Sequence, residues 1–121
     1  MTTRDSSIEE SHRPPAQWYT CSGFQRDLLL GVVTHDRLDE SPYGVALQEW
    51  LGARYPRDVV RSRVYHNLGE LVEAGLLARD GSSAYRTPYR LTDASKQCLA
   101  THGQFVNALD LQALVPDTEL E

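Results

Sequence analysis

Residues 56–77 read PRDVVRSRVYHNLGELVEAGLL. Val60, Val64, Leu68, Leu71 and Val72 fall at i, i+4, i+8, i+11 and i+12. At about 100° per residue they gather into one apolar stripe. The same arithmetic puts Ser62, Arg63, His66 and Gly69 on the far side, with Arg61, Tyr65 and Asn67 on the flanks. The spacing predicts a single amphipathic helix across the stretch. One face wants a core, and the other carries donors, cations and an aromatic ring. That second face suits a DNA major groove, where base edges are read by hydrogen bonds. Gly75 stops the helix, and Leu76-Leu77 lead onward.

The stretches on either side extend the pattern. Ser22 stands three residues before Gln25, the spacing of a capping box. The helix it opens, GFQRDLLLGVVTHD, places Phe24, Leu28 and Val32 on one face with Leu29 and Val33 beside them. Ser41-Pro42 reads as a second helix start, Ser as N-cap and Pro at the first helical position. That helix offers Tyr43, Leu47, Trp50 and Leu51 to the core and ends around Gly52 and Pro56. Two helices joined by a tight link make a helix-turn-helix.

After Leu77 the period changes. ARDGSSAYRTPYRLT reads as a β-hairpin turning at Asp80-Gly81. On its return strand Tyr89 and Leu91 share one face, and Arg86, Pro88 and Arg90 the other. Arg79 lies on the outgoing strand. These arginines form either a solvated face or a set of phosphate contacts, and the neighbouring donor-rich helix favours phosphate. Pro88 suits an edge. Thr92 then caps a long last helix with a stripe of Leu99, His102, Val106, Leu109 and Ala113, Cys98 and Phe105 beside it. Three helices and a hairpin cannot cover that stripe, which points to self-association; packing back on its own domain is the alternative. The expected fold is mainly α with a small β-hairpin: a winged helix-turn-helix plus a long C-terminal dimerisation helix. Its divisions are an unstructured arm at 1–17, a DNA-binding domain at 18–92, a dimerisation helix at 93–115 and an acidic tail at 116–121.

Net charge is −5, which by itself argues against nucleic acid. Its distribution does not. Residues 54–90 hold seven arginines against four acids, whereas 1–53 and 91–121 each carry a net −4. A local positive patch on an acidic body is still an electrostatic footprint. Eleven of the twelve basic residues are Arg, with Lys96 the exception. This Lys-poor, acid-rich balance suits an environment where charge is strongly screened. No apolar run approaches the roughly 18 residues a membrane span needs, and the polar start lacks the apolar core of a signal peptide. A soluble, cytoplasmic protein with no membrane partner is expected. Cys21 and Cys98 lack CxxC spacing and read as two free thiols or as a redox pair.

SPYGVALQEWL, VYHNLGELVEAGLL and PYRLTDAS resemble the PadR-like winged helix-turn-helix transcriptional regulators. The matching positions are Tyr43-Gly44; Tyr65, Leu68, Leu71, Gly75 and Leu76; and Tyr89, Leu91 and Thr92. With the Lys-poor composition, the chain looks like the small halophilic archaeal members. The resemblance covers roughly residues 22–100. It implies a homodimer joined through the C-terminal helix, a recognition helix in the major groove, wing arginines on the backbone or minor groove, and a role in oxidative stress. Val60-Arg61-Ser62-Arg63 departs from the family, which often has a small polar residue, Pro and Gly there.

The expected DNA-binding residues are Arg61, Ser62, Arg63, Tyr65, His66, Asn67, Arg79, Arg86 and Arg90. Ser62, Arg63 and His66 are assigned to base edges. Tyr65 fits either the core edge or a phosphate. Leu99, His102, Phe105, Val106 and Leu109 are the expected dimer contacts. His12, His35, His66 and His102 sit on separate elements without metal-ligand spacing, so no enzyme, metal or cofactor is expected. The expected partners are double-stranded DNA and a second copy, with bound salt ions bridging carboxylates to phosphate. The alternative, favoured by the acidic charge, is a winged helix used for protein contact in a transcription or replication assembly.

Overall fold

The structure, a computed structural model, describes residues 14–79, 81 and 87–116. The expected arm before residue 14, the wing turn around Asp80 and 82–86, and the tail at 117–121 lie outside the described residues. The order of elements is α1 (Ala16–Thr20), α2 (Gly23–Arg37), α3 (Gly44–Gly52), α4 (Arg61–Glu73), β1 (Leu77–Arg79), β2 (Tyr89–Leu91), α5 (Asp93–Ala108) and a 3-10 turn (Leu111–Leu114).

One core joins the helices and strands, leaving the 3-10 turn outside it. Phe24, Leu28, Leu29 and Val32 of α2 meet Leu47 and Leu51 of α3 and Val64, Leu68 and Leu71 of α4. The wing adds Leu76, Leu77 and Tyr89, and the two ends of the chain add Trp18 and Cys98. Each buried leucine contributes about 1.5–3 kcal/mol of transfer free energy, so this cluster is the main source of stability. The strands pair antiparallel with Leu77 opposite Leu91, Ala78 opposite Arg90 and Arg79 opposite Tyr89. Pro42 borders the sheet on the far side, its carbonyl accepting the Tyr89 amide at 3.1 Å.

Several expected local signals appear as read. The Ser22 hydroxyl accepts the Gln25 amide while Gln25 reaches back to the Ser22 amide, closing the capping box of α2. Thr92 and Ser95 make the same reciprocal pair at α5. Gly75 takes φ +78, and the wing leaves the helix there.

Four boundaries differ from expectation. The stretch 56–77 is not one helix: α4 begins at Arg61, and Val60 is its N-cap with no side-chain cap. Val59 is buried and Val60 is 55 % exposed, so Val59 takes the core position assigned to Val60. The Gln48 side chain holds that linker by donating to the Val59 carbonyl at 3.0 Å. Ser41 does not cap α3: the helix starts at Gly44 with an extended Tyr43 as N-cap, and the Pro42 carbonyl is taken by the wing. Tyr43 is 39 % exposed rather than a core residue. The arm is ordered earlier than expected, since α1 begins at Ala16 and buries Trp18. Finally α5 stops at Ala108 instead of running to 115, and Asp110 adopts a left-handed φ of 50 before the 3-10 turn.

Candidate nucleic-acid interface

The outer face of α4 carries Arg61, Ser62, Arg63, His66 and Gly69, all exposed. The face behind it is sealed, with Val64 and Leu68 fully buried. This division follows from the 3.6-residue period and holds the polar face rigidly outward. Arg63 is ordered further: its guanidinium lies 3.9 Å from the Phe24 ring centroid. Phe24 in turn meets Tyr55 edge-on at 5.7 Å. The Tyr55 hydroxyl donates to Asp27 at 2.5 Å. Burial and that carboxylate push the Tyr55 phenol up to about 12, so it stays a donor. Arg63 therefore rests on a braced aromatic shelf, which restricts its rotamers while leaving the residue exposed.

Two of the expected contact residues face inward. Tyr65 packs its ring against Gly44, so closely that a methyl group at position 44 would overlap it. Its hydroxyl is buried, which places Tyr65 at the core edge, one of its two expected positions. Asn67 is half-buried and turned inward. Its amide donates to the Arg63 carbonyl at 2.8 Å and its oxygen accepts from Gln25 at 3.0 Å. Both of its hydrogen-bonding ends are engaged within the fold.

Residues missed from sequence complete the face. Gln25 also donates to Glu70 at 2.8 Å, and the other Glu70 oxygen lies 3.1 Å from His66 Nε2. The i, i+4 spacing of His66 and Glu70 was a readable signal. The Gln25 contact was not, because it crosses between helices.

The wing is divided. Arg79 is exposed at the end of β1. Arg90 is exposed too, but it borders a groove whose walls include Asp36, Asp39 and Glu40. Those carboxylates oppose the approach of a phosphate. Arg86 lies outside the described residues.

The expected dimer residues separate along α5. Leu99 packs against the core of its own chain. His102 also turns inward, its Nδ1 accepting the Trp18 indole N–H at 3.2 Å. Phe105 and Val106 are half-buried, and Leu109 is 46 % exposed. Between α2 and α5 runs a groove of about 600 Å3 with Leu30, Val33, Leu91 and Leu99 in its walls and Arg26, Arg37 and Lys96 among its polar residues. Cys21 and Cys98 are free thiols, both raised from the ordinary value by burial first. Among the described residues no cluster of His, Cys, Asp or Glu is placed to hold a metal. Nor is any helix among them long and apolar enough to cross a membrane.

The capped α2, a helix-turn-helix with a polar outer face and a two-stranded wing define a winged-helix protein. Solved structures bear this out. The chain is similar to the structure described as the complex of hsRosR-S4, with 26 % identity, 91 % of this chain and 83 % of that one covered, and a TM-score of 0.55. It is also similar to the complex of hsRosR-S1, with 25 % identity, 86 % and 85 % covered, and a TM-score of 0.60. No protein-family model matches the chain, and no curated protein matches it.

Proposed function

We propose that this chain is a sequence-specific DNA-binding transcription regulator that works as a homodimer. The carrying observation is the outer face of α4: Arg61, Ser62, Arg63 and His66 stand exposed on a helix whose inner face is buried in a helix-turn-helix. The likeness to both RosR complexes supports the same reading. In this reading α4 enters the major groove, Ser62, Arg63 and His66 meet base edges, and Arg61 and Arg79 hold the backbone. Dimerisation is supported by the exposed Leu109, Leu111 and Leu114 beyond the end of α5, and by Leu30 beside the α2–α5 groove. The PadR-like subtype, the stress role and a cytoplasmic location extend this reading by resemblance.

The net charge of −5 adds a second expectation. Binding that rested on counterion release would fall steeply with salt, with a slope near −0.9 per phosphate contact. An acidic body with one basic patch works best where ions shield its carboxylates, and bound cations then bridge them to phosphate. The salt slope should be shallow or inverted.

Titration of the purified chain against promoter-length and unrelated duplexes tests the function. Arg63→Ala should reduce discrimination among sequences by about 1–3 kcal/mol, whereas Arg79→Ala should weaken all sequences alike. Arg90→Ala should do less, given the carboxylates beside it. Failure to bind any duplex at any salt would leave the second reading, a winged helix for protein contact, which the acidic charge favours.

A further inference from the structure

The recognition face is wired to a different helix. On α2, Gln25 Oε1 accepts the Ser22 amide at 3.2 Å. Its Nε2 donates to Glu70 Oε1 at 2.8 Å and to Asn67 Oδ1 at 3.0 Å. Glu70 is thereby held with its second oxygen 3.1 Å from His66 Nε2. A carboxylate oxygen only accepts, so Nε2 carries the ring proton in this pair. The neutral ring then keeps its lone pair on Nδ1. His66 remains 71 % exposed despite the contact, so the ring is accessible from outside while Nε2 is engaged.

We propose that Gln25 and Glu70 are positioning residues that set the base specificity of His66, making it an acceptor for an exocyclic amine. This rests on the DNA-reading role proposed above. In the major groove the available amine donors are adenine N6 and cytosine N4. Guanine presents only acceptors there, and thymine an acceptor and a methyl group. A ring locked as an acceptor selects A or C on the strand it faces and disfavours G and T. A free ring exchanges tautomers and loses that preference. Specificity at one base pair is thus decided by a glutamine that lies on α2.

Gln25 has two roles, and one substitution separates them. Gln25→Glu keeps a carboxyl oxygen for the Ser22 amide, as glutamate does in capping boxes. It removes the Nε2 donor and sets a second carboxylate against Glu70. Glu70→Gln, at an exposed position, leaves one acceptor oxygen, which Gln25 Nε2 claims, and turns a donor NH2 toward His66 in place of the fixed acceptor.

The experiment uses the full chain at about pH 8, on the alkaline side of the ordinary histidine range. A double-stranded library with a randomised core is selected by the wild-type chain and by His66→Ala, Glu70→Gln and Gln25→Glu. Affinities for the best duplex and its single-base variants follow. The wild type should prefer A or C at one position by about fivefold or more. All three variants should flatten that same position and leave the rest of the preference profile standing. A Gln25→Glu chain with a near-native melting temperature and a flattened position supports the clamp over a loss of folding. If Gln25→Glu fails to fold, Glu70→Gln alone decides the matter. A wild-type preference for G or T at the His66 position overturns the proposal, as does an unchanged profile in Glu70→Gln. A wild-type chain with no base preference anywhere overturns the DNA-reading role itself.

Discussion

α4 and α5 carry apolar repeats of the same period and reach opposite ends. In α4 the stripe of Val64, Leu68 and Leu71 is buried to within 1 % exposure. Neighbours on α2, α3 and the wing close over it. In α5 burial fades along the helix. Ser95, Cys98 and Thr101 are buried, Phe105 and Val106 are half-buried, and beyond its end Leu109 and Leu114 are 46 % and 78 % exposed. The first helix is completed by its own chain. The second runs past the end of the core, so its distal residues contribute little to folding until another surface covers them.

The comparison breaks most sharply at Leu68. Leu68→Ala leaves a cavity that three elements cannot fill and should cost about 2–5 kcal/mol, read as a lower urea midpoint with an unchanged slope. The equivalent truncation at the exposed end, Leu114→Ala, should change monomer stability by less than about 0.5 kcal/mol. Similar losses at both sites would mean that the segment after α5 is as integral to the core as α4.

The next effect sits just beyond the end of α5. If a second copy covers it, each leucine buried there is worth about 1.5–3 kcal/mol. The pair Leu109→Glu and Leu114→Glu should then weaken self-association by about a hundredfold or more, measured by sedimentation at several concentrations. The far-UV spectrum and the melting temperature of the monomer should not move. A chain whose mass is concentration-independent before and after the substitutions would assign this face to something other than a second copy.

The same contrast explains what the sequence disclosed. The Ser22–Gln25 and Thr92–Ser95 caps and Gly75 were readable because each is local: the chemistry lies within four residues. The buried stripe of α4 was readable from its period. The start of α4 was not. Val59 and Val60 are adjacent, of one type, and no capping side chain marks the boundary. The choice between them is made by packing and by Gln48 reaching the Val59 carbonyl. Ser41-Pro42 gave a good local helix signal that lost to a tertiary bond, the Tyr89 amide on the Pro42 carbonyl. At the site, exposure of Arg61, Ser62, Arg63 and His66 followed from helix geometry. The inward turn of Tyr65 and Asn67 did not, because it depends on Gly44 and Gln25 arriving from other helices.

The smallest effect sharpens where α5 passes from one regime to the other. Among the described residues His102 is the last side chain of the helix hydrogen-bonded to the rest of its own chain, through Trp18 at 3.2 Å with the rings 4.8 Å apart. Nδ1 accepts the indole proton there, which requires the neutral ring. Burial lowers the His102 pKa below its ordinary 6.5, and the nearby Arg26 charge lowers it further. The unfolded chain lacks both influences, so between the two values it binds more protons than the folded chain. Stability therefore rises with pH in that window. The contribution is complete above about 6.5 and is lost as pH falls toward the lowered native value. His102→Gln keeps an acceptor for the indole and removes the titration. Between about pH 8 and about pH 5 the wild type should lose more stability than His102→Gln, compared by urea midpoints at fixed salt. Parallel curves would show that α5 is already loose at His102, moving the boundary between the covered and uncovered parts of the helix back toward Cys98.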